Sequence, residues 1–255
     1  MSELFIDINA DLGESEELLA NGTDWELMRY ITSANVACGG HAGDVHTMRE
    51  TLAAAKSMNV AVGAHPGYPD RANFGRLQSA LPVAEIAASV CAQIAALIKV
   101  ADSLGMRVTH VKPHGALYHA ANNERDVAQF IGRAVQDLDP RLIMVGQTGS
   151  PALDLWRAMG LRCAAEAFAD RAYESDGSLR KRTLPGALLD DPARAAVQAV
   201  NIALRHGVIA GDGSELSVKA DTVCIHSDTP GSVSIAREVN RRLREAGVSL
   251  RALSA

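Results

Sequence analysis

Aromatic residues make up only 4% of the 255 positions, so any core must be built from aliphatic side chains and alanine. The four cysteines, Cys38, Cys91, Cys163 and Cys224, form no Cys-x-x-Cys pair. That spacing argues against a disulfide framework or a thiolate metal knot and suits a reducing compartment. Excess positive charge is missing too: 25 Lys and Arg stand against 30 Asp and Glu, for a net charge of −5. Such a chain has no general attraction for nucleic acid or an anionic membrane, and neither is expected as a partner. Only "RKR" at 180–182 is locally basic, and it reads as a solvated loop tip or an anion contact.

The N-terminus is acidic, with no basic stretch leading into an apolar core, and no uninterrupted apolar run approaches the roughly 18 residues of a membrane span. A cytoplasmic protein is the expectation. Gly-x-Gly-x-x-Gly, Gly-x-x-x-x-Gly-Lys-Ser/Thr and His-Glu-x-x-His are all absent. A dinucleotide-binding opening, a P-loop and a two-histidine zinc helix therefore find no support.

What is present is a recurring unit. Seven short β-branched or apolar runs, at 4–9, 33–38, 60–65, 107–112, 142–147, 161–168 and 221–226, each lead into a polar turn. Helical periodicity follows most of them, at 44–58, 82–104, 124–137, 150–159, 192–206 and 230–246. Runs apolar on both faces suit a parallel sheet covered by helices. An α/β fold results, either a (β/α)7-type distorted TIM barrel or an open doubly wound sheet, and seven units without a glycine-rich opening favour the barrel. An extra β-hairpin is expected near 207–218, with a type I′ turn at Asp212-Gly213. The segment 169–190 lacks periodicity, and loops of that length are often functional. No linker or repeat interrupts the chain, so residues 1–255 read as one domain.

In parallel α/β folds the residues just past each strand converge on one face. Here they are Asp7, Asn9, Asp11 and Glu14; Asn35, Cys38 and His41; His65, Tyr68 and Asp70; Lys112, His114 and Tyr118; Glu166, Asp170 and Arg171; and His226 with Asp228. Singly, each has an ordinary structural explanation. Asp44, Asp70 and Asp228 suit helix caps or turns, Asp7 and Asn9 suit backbone partners, and Cys38 and Cys224 suit small buried apolar residues. In "HVKPHGALYH" at 110–119, His110 falls within a strand and His119 beyond the turn, which leaves Lys112, His114 and Tyr118 over the barrel mouth. Together, carboxylates mixed with imidazoles suit acid/base chemistry or a divalent metal, for which Asp11, His41 and His65 are the candidates. Lys112 and Arg171 beside them suit an anionic substrate.

Seven stretches carry a specific likeness: "DINADLGES" (7–15), "TSANVACGGHAGD" (32–44), "VGAHPGYPD" with "FGR" (62–76), "HVKPHGALY" (110–118), "AFADRAY" (167–173), "RTLPGAL" (182–188) and "CIHSDTPG" (224–231). In this order they resemble the LamB/YcsF family across nearly the whole chain. Two positions depart from the family pattern: Gly40 stands where a large aromatic is usual, and Ser227 where glycine is usual. Both bear on loop shape.

The resemblance implies a seven-stranded barrel of the glycoside hydrolase/deacetylase superfold. It also implies ATP-dependent opening of 5-oxo-L-proline to L-glutamate, with magnesium accompanying ATP, in company with partner proteins termed the B and C subunits. Under that resemblance Asp11 and His65 or His114 would activate water, and Lys112 and Arg171 would meet anionic oxygens. Glu166 and Asp228 would orient these groups, while Asn9, Asn35, His41, Tyr118, Arg171 and His226 would contact substrate or phosphate. Lys112→Ala and His114→Ala are each expected to abolish glutamate formation with a melting temperature lowered by a few degrees at most. Two other readings stay open: a stand-alone metal-dependent deacetylase or amidohydrolase, and a non-catalytic lactam-binding subunit. A tightly bound metal and a homo-oligomer are left open as well.

Overall fold

Strand β1 (Phe5–Leu12) reads "FIDINADL", a period-two alternation in which Ile6, Ile8, Ala10 and Leu12 share one face and Asp7, Asn9 and Asp11 the other. All seven side chains are buried. A computed structural model, describing residues 4–253, shows why both faces of this strand are covered.

After β1 come helices α1 (Glu16–Ala20) and α2 (Thr23–Met28), then β2 (Ser33–Ala37), α3 (Val45–Ser57), β3 (Ala61–His65) and α4 (Val83–Ser103). The chain continues through β4 (Val108–Val111), α5 (Gly115–Asn123), α6 (Arg125–Leu138), β5 (Ile143–Gln147), α7 (Pro151–Ala158), β6 (Arg162–Phe168) and α8 (Pro192–Arg205). A hairpin of β7 (Gly207–Ile209) and β8 (Glu215–Ser217) precedes β9 (Thr222–Cys224), α9 (Ser232–Glu245) and β10 (Ser249–Leu250).

Strands β1, β2, β3, β4, β5, β6 and β9 pair in parallel in that order, and β9 returns to β1, so the sheet closes into a seven-stranded barrel. The short β10 pairs with the start of β1. Helix boundaries follow local chemistry. Asp44 and Thr47 form a capping box at α3, and proline opens both α7 and α8.

The aliphatic, alanine-rich core lies between sheet and helices. The barrel interior is different, because the inward positions carry Asp7, Asn9, Ser33, Asn35, His110, Lys112, Glu166 and Thr222, all buried and hydrogen-bonded to one another across strands. The expectation of strands apolar on both faces is corrected accordingly. Buried polar groups of this kind are tolerated only when partnered.

Two further expectations change. The β7–β8 hairpin is antiparallel as expected, but residues 210–214 connect it and only Gly213 has a positive φ, so the turn is not type I′. Asp212 instead accepts from the Ser214 backbone and hydroxyl. Helix α5 starts directly at the His114 turn, where only a turn is expected from the sequence. Helix α4 spans 21 residues and is long and apolar enough to cross a membrane by length and composition. One face of it, Ile86, Val90, Ile94, Leu97 and Val100, packs into the barrel's core.

Candidate functional site

A cavity of about 1350 Å³ opens at the carboxyl ends of the strands, between the strand-end turns and the 169–190 segment. Its floor is built on β1 and β4. Lys112, just past β4, reaches inward and is 3% exposed. Its ammonium contacts Glu166 Oε1 at 2.8 Å, Asp11 Oδ1 at 2.9 Å, Cys224 Sγ at 3.1 Å and Asn9 Oδ1 at 3.2 Å. Burial alone would strip the proton, but Asp11, Cys224 and Glu166 outweigh it and hold the Lys112 pKa well above its usual value. Burial likewise opposes ionisation of Asp11, yet His65 and Lys112 keep it well below the normal carboxylate range.

Beneath this pair Asn9 and Asn35 act as couplers. Asn9 donates to Glu166 and Thr222, Asn35 donates to Asn9 and Asp11, and His110 Nε2 donates to Asn35 Oδ1. Burial pushes His110 down to about 3, so it stays neutral. Glu166 Oε2 and the Tyr118 hydroxyl are both buried without a hydrogen-bond partner. Burial and the nearby Glu166 carboxylate raise the Tyr118 phenol well above its usual range.

Beside the floor stands a cluster of Glu14, His41, His65 and His114, whose ligand atoms lie within 4.8 Å of one another. His41 and His114 stack in parallel with centroids 3.6 Å apart, and His65 stands edge-on to both. Burial lowers His41 to about 4. His65 is pushed the other way: burial is outweighed by Asp11 and Glu14, which raise it to about 9. Glu14 is held well below its normal value, since bonds from His114, His41 and His65 overcome burial.

A second group among the described residues, Asp11, Cys224 and His226, also brings three ligand atoms together. The Lys112 ammonium already touches Asp11 and Cys224 there and supplies the positive charge. Of the three metal candidates read from sequence, His41 and His65 fall in the four-residue cluster. Asp11 flanks it, with Oδ2 3.4 Å from His65 Nε2.

The rim is cationic. Arg171, on the segment after β6, lines the cavity; its guanidinium donates to Arg180 O while its buried Nε has no partner. His226 also lines the cavity, held by Asp170 at 3.0 Å and stacked on Phe168. Asp228 is more exposed than its expected orienting role allows. It pairs with Arg76 and Arg182, bridging three loops at the mouth, and touches neither Lys112 nor Arg171. The basic "RKR" tip thus contributes Arg182 to the rim.

Of the twelve residues singled out from sequence, Asp11, His65, Lys112, His114, Tyr118, Arg171, His226 and Asp228 line the cavity. Asn9, Asn35, His41 and Glu166 stand behind that lining and hold it. Sequence reasoning assigns no role to Glu14, Asp170, Arg76 or Arg182, all of which the structure brings to the site or its supports. Glu14 lies two residues past β1 within "DLGES", so its strand-end position was the available signal. The departure at Gly40 also has a local reason. A Cβ there would collide with Gln93 Oε1 and Gly67 O, because Gln93 fills the space and hydrogen-bonds both Gly67 N and O.

Comparison with known proteins agrees with this architecture. The LamB/YcsF family model matches residues 6–255. The chain is 46% identical to the 5-oxoprolinase A subunit of Chloroflexus aggregans over 97% of its own length and 98% of the relative's. It is 45% identical to the 5-oxoprolinase A subunit of Pyrococcus furiosus over 96% of each chain. The crystal structure of the lactam utilization protein from Thermus thermophilus superposes with a TM-score of 0.92 at 43% identity, covering 98% of this chain and 100% of that one. A family 4 carbohydrate esterase from Streptomyces lividans shares the fold at a TM-score of 0.53 and 9% identity, covering 98% and 93% of the two chains. By its family match and by these full-length relatives, the chain belongs to the LamB/YcsF family.

Proposed function

We propose that this chain is the A subunit of an ATP-dependent 5-oxoprolinase, which opens 5-oxo-L-proline to L-glutamate while ATP goes to ADP and phosphate. Support comes from relatives named as 5-oxoprolinase A subunits at 46% and 45% identity over nearly full length. The observation that carries the reading is the Lys112–Asp11 pair on the cavity floor: a fixed cation beside an ionised carboxylate, both open to a space large enough for a small lactam.

A five-membered lactam resists hydrolysis because its amide is resonance-stabilised and ring closure is favoured. Transfer of the γ-phosphoryl group of ATP, carried as its magnesium complex, to the lactam oxygen would convert that oxygen into a leaving group. Water then adds to the ring carbon and the carbon–nitrogen bond breaks, which leaves an acyl phosphate; a second water attacks that carbon, and phosphate departs with the former lactam oxygen. The nitrogen takes a proton to become the amine of glutamate.

In this scheme Asp11 accepts the proton of the attacking water, its base strength set by His65 and Lys112. Lys112 faces the charge that grows on the lactam or phosphoryl oxygen, which a preorganised buried cation stabilises strongly. The guanidinium of Arg171, which lines the cavity, suits the substrate carboxylate. His114 and His65 fix the wall beside Asp11, and Glu166 holds Lys112 from below. The partner B and C subunits belong to the same proposal.

The test is release of ADP and glutamate from 5-oxo-L-proline and ATP, by this protein alone and then with its B and C subunits. Coupled release in the mixture supports the reading. Hydrolysis by the isolated chain with no dependence on ATP overturns it in favour of a stand-alone amidohydrolase.

A further inference from the structure

The tautomers of the histidine cluster follow from their outer partners, since a backbone carbonyl can only accept. His65 Nδ1 lies 2.7 Å from Lys112 O, so a proton is held there and Nε2 is the nitrogen that faces the cavity. His114 Nε2 lies 2.9 Å from Phe74 O, so Nδ1 likewise faces inward. Those two inner nitrogens are 3.0 Å apart, and Glu14 Oε1 lies 2.9 Å from one and 3.4 Å from the other. Three ligand atoms thus converge, each oriented from behind, and an ion among them would displace any proton held between them. His41, whose Nδ1 has no partner, supports Glu14 through its Nε2 at 2.8 Å.

We propose that Glu14 Oε1, His65 Nε2 and His114 Nδ1 hold a divalent transition-metal ion of the zinc type. Ligands about 2.0–2.2 Å from an ion stand roughly 3.0–3.4 Å apart at angles between square and tetrahedral, which the three observed separations match. Two imidazoles and one carboxylate select zinc or a similar first-row metal over magnesium, which prefers oxygen alone. His41 is not a fourth ligand. Its ring is parallel to His114 at 3.6 Å, so an ion in the plane of one ring lies out of the plane of the other.

The cavity supports the same division. Glu14, His65 and His114 line it and His41 does not, so the ion's open side faces the space beside Asp11. Carbonyl partners on both histidines are the outer-shell arrangement that fixes metal-binding tautomers. The ion would supply Lewis acidity next to the Lys112–Asp11 pair. This site stands on geometry and does not depend on the reaction proposed above.

Chelator-treated protein titrated with Zn²⁺, and separately with Co²⁺ read by its visible absorption, tests the proposal. Uptake of one ion per chain and a higher melting temperature with Zn²⁺ are expected, with no protection by Mg²⁺ at the same concentration. His65→Ala and His114→Ala should each weaken Co²⁺ binding by more than about 100-fold, and His41→Ala by roughly 10–100-fold as an orienting partner. Glu14→Gln keeps size and polarity and should lose Co²⁺ binding while still unfolding in a single cooperative transition. Absence of uptake by the wild-type chain, equal protection by Mg²⁺, or a wild-type Co²⁺ spectrum in Glu14→Gln overturns the proposal.

Discussion

Lys112 Nζ lies 2.9 Å from Asp11 Oδ1, and the two side chains are buried side by side on the cavity floor. Glu166 contacts the same ammonium from below at 2.8 Å. Removing the lysine would leave two buried carboxylates facing each other, and breaking a buried pair costs about 3–5 kcal/mol. For a chain of this size that is a fall of roughly 6–20 °C in melting temperature. Lys112→Ala should therefore destabilise well beyond the few degrees that the sequence alone led us to expect. Lys112→Ala combined with Glu166→Gln should recover part of the loss. Thermal unfolding of the single and double variants checks this, and a single variant that melts within a few degrees of wild type contradicts it.

The pairing of Asp228 with Arg76 and Arg182 makes a different prediction. All three side chains are substantially exposed, and such pairs are worth about 0–1 kcal/mol. Asp228→Asn should leave the melting temperature nearly unchanged and lower kcat by less than about tenfold. Steady-state rates of the assembled enzyme decide it; a loss of three orders of magnitude would restore Asp228 to the chemistry.

Arg171 should act on substrate binding. Replacing its planar fork by a point charge, in Arg171→Lys, should raise KM for 5-oxo-L-proline by about tenfold, or roughly 1.4 kcal/mol, with kcat changed less. Substrate-dependence curves separate the two parameters. A fall in kcat at unchanged KM would move Arg171 from the substrate carboxylate to the reacting centre.

Asp7, at the far end of the barrel interior, gives a pH signature. Burial raises its pKa from 3.8 to about 6, although the hydroxyls of Thr222, Thr32 and Ser33 all donate to it and pull the other way. Because the folded pKa is the higher one, its contribution is fully present below pH 3.8 and is lost as pH rises through about 6. The loss amounts to about 3 kcal/mol. Relative to wild type, Asp7→Asn should gain that amount between pH 4 and pH 8 in urea unfolding. Parallel pH profiles would contradict it.

How much of this was legible in the sequence depends on which periodicity carried it. The seven strand runs and the six long helices were readable because each presents a buried face to the helix–sheet core. The polar interior was readable only in β1, where "FIDINADL" alternates openly. In β4 and β6 the inward His110, Lys112 and Glu166 are too few to set a pattern. Helix α5 stayed hidden because it begins at the His114 turn without a side-chain cap. Strand-end position correctly gathered Asp11, His65, Lys112, His114 and Arg171 at one mouth. It could not separate residues that line the cavity from Asn9, Asn35 and Glu166, which lie one layer deeper, since all sit on the same strands. Glu14 and His41 met through loop geometry rather than spacing, and sequence separation gives no measure of that.

In the proposed reaction Asp11, held ionised by Lys112 and His65, serves as the base that opens the lactam ring. Glutamate formation from 5-oxo-L-proline and ATP, by Asp11→Asn combined with the B and C subunits, tests it most directly. The substitution keeps the shape of the side chain and leaves Lys112 paired with Glu166. Glutamate release is expected to fall by about 10²–10⁴-fold, the usual range for loss of a general base, with a melting temperature lowered by less than in Lys112→Ala. A variant that forms glutamate within tenfold of the wild-type rate would contradict it.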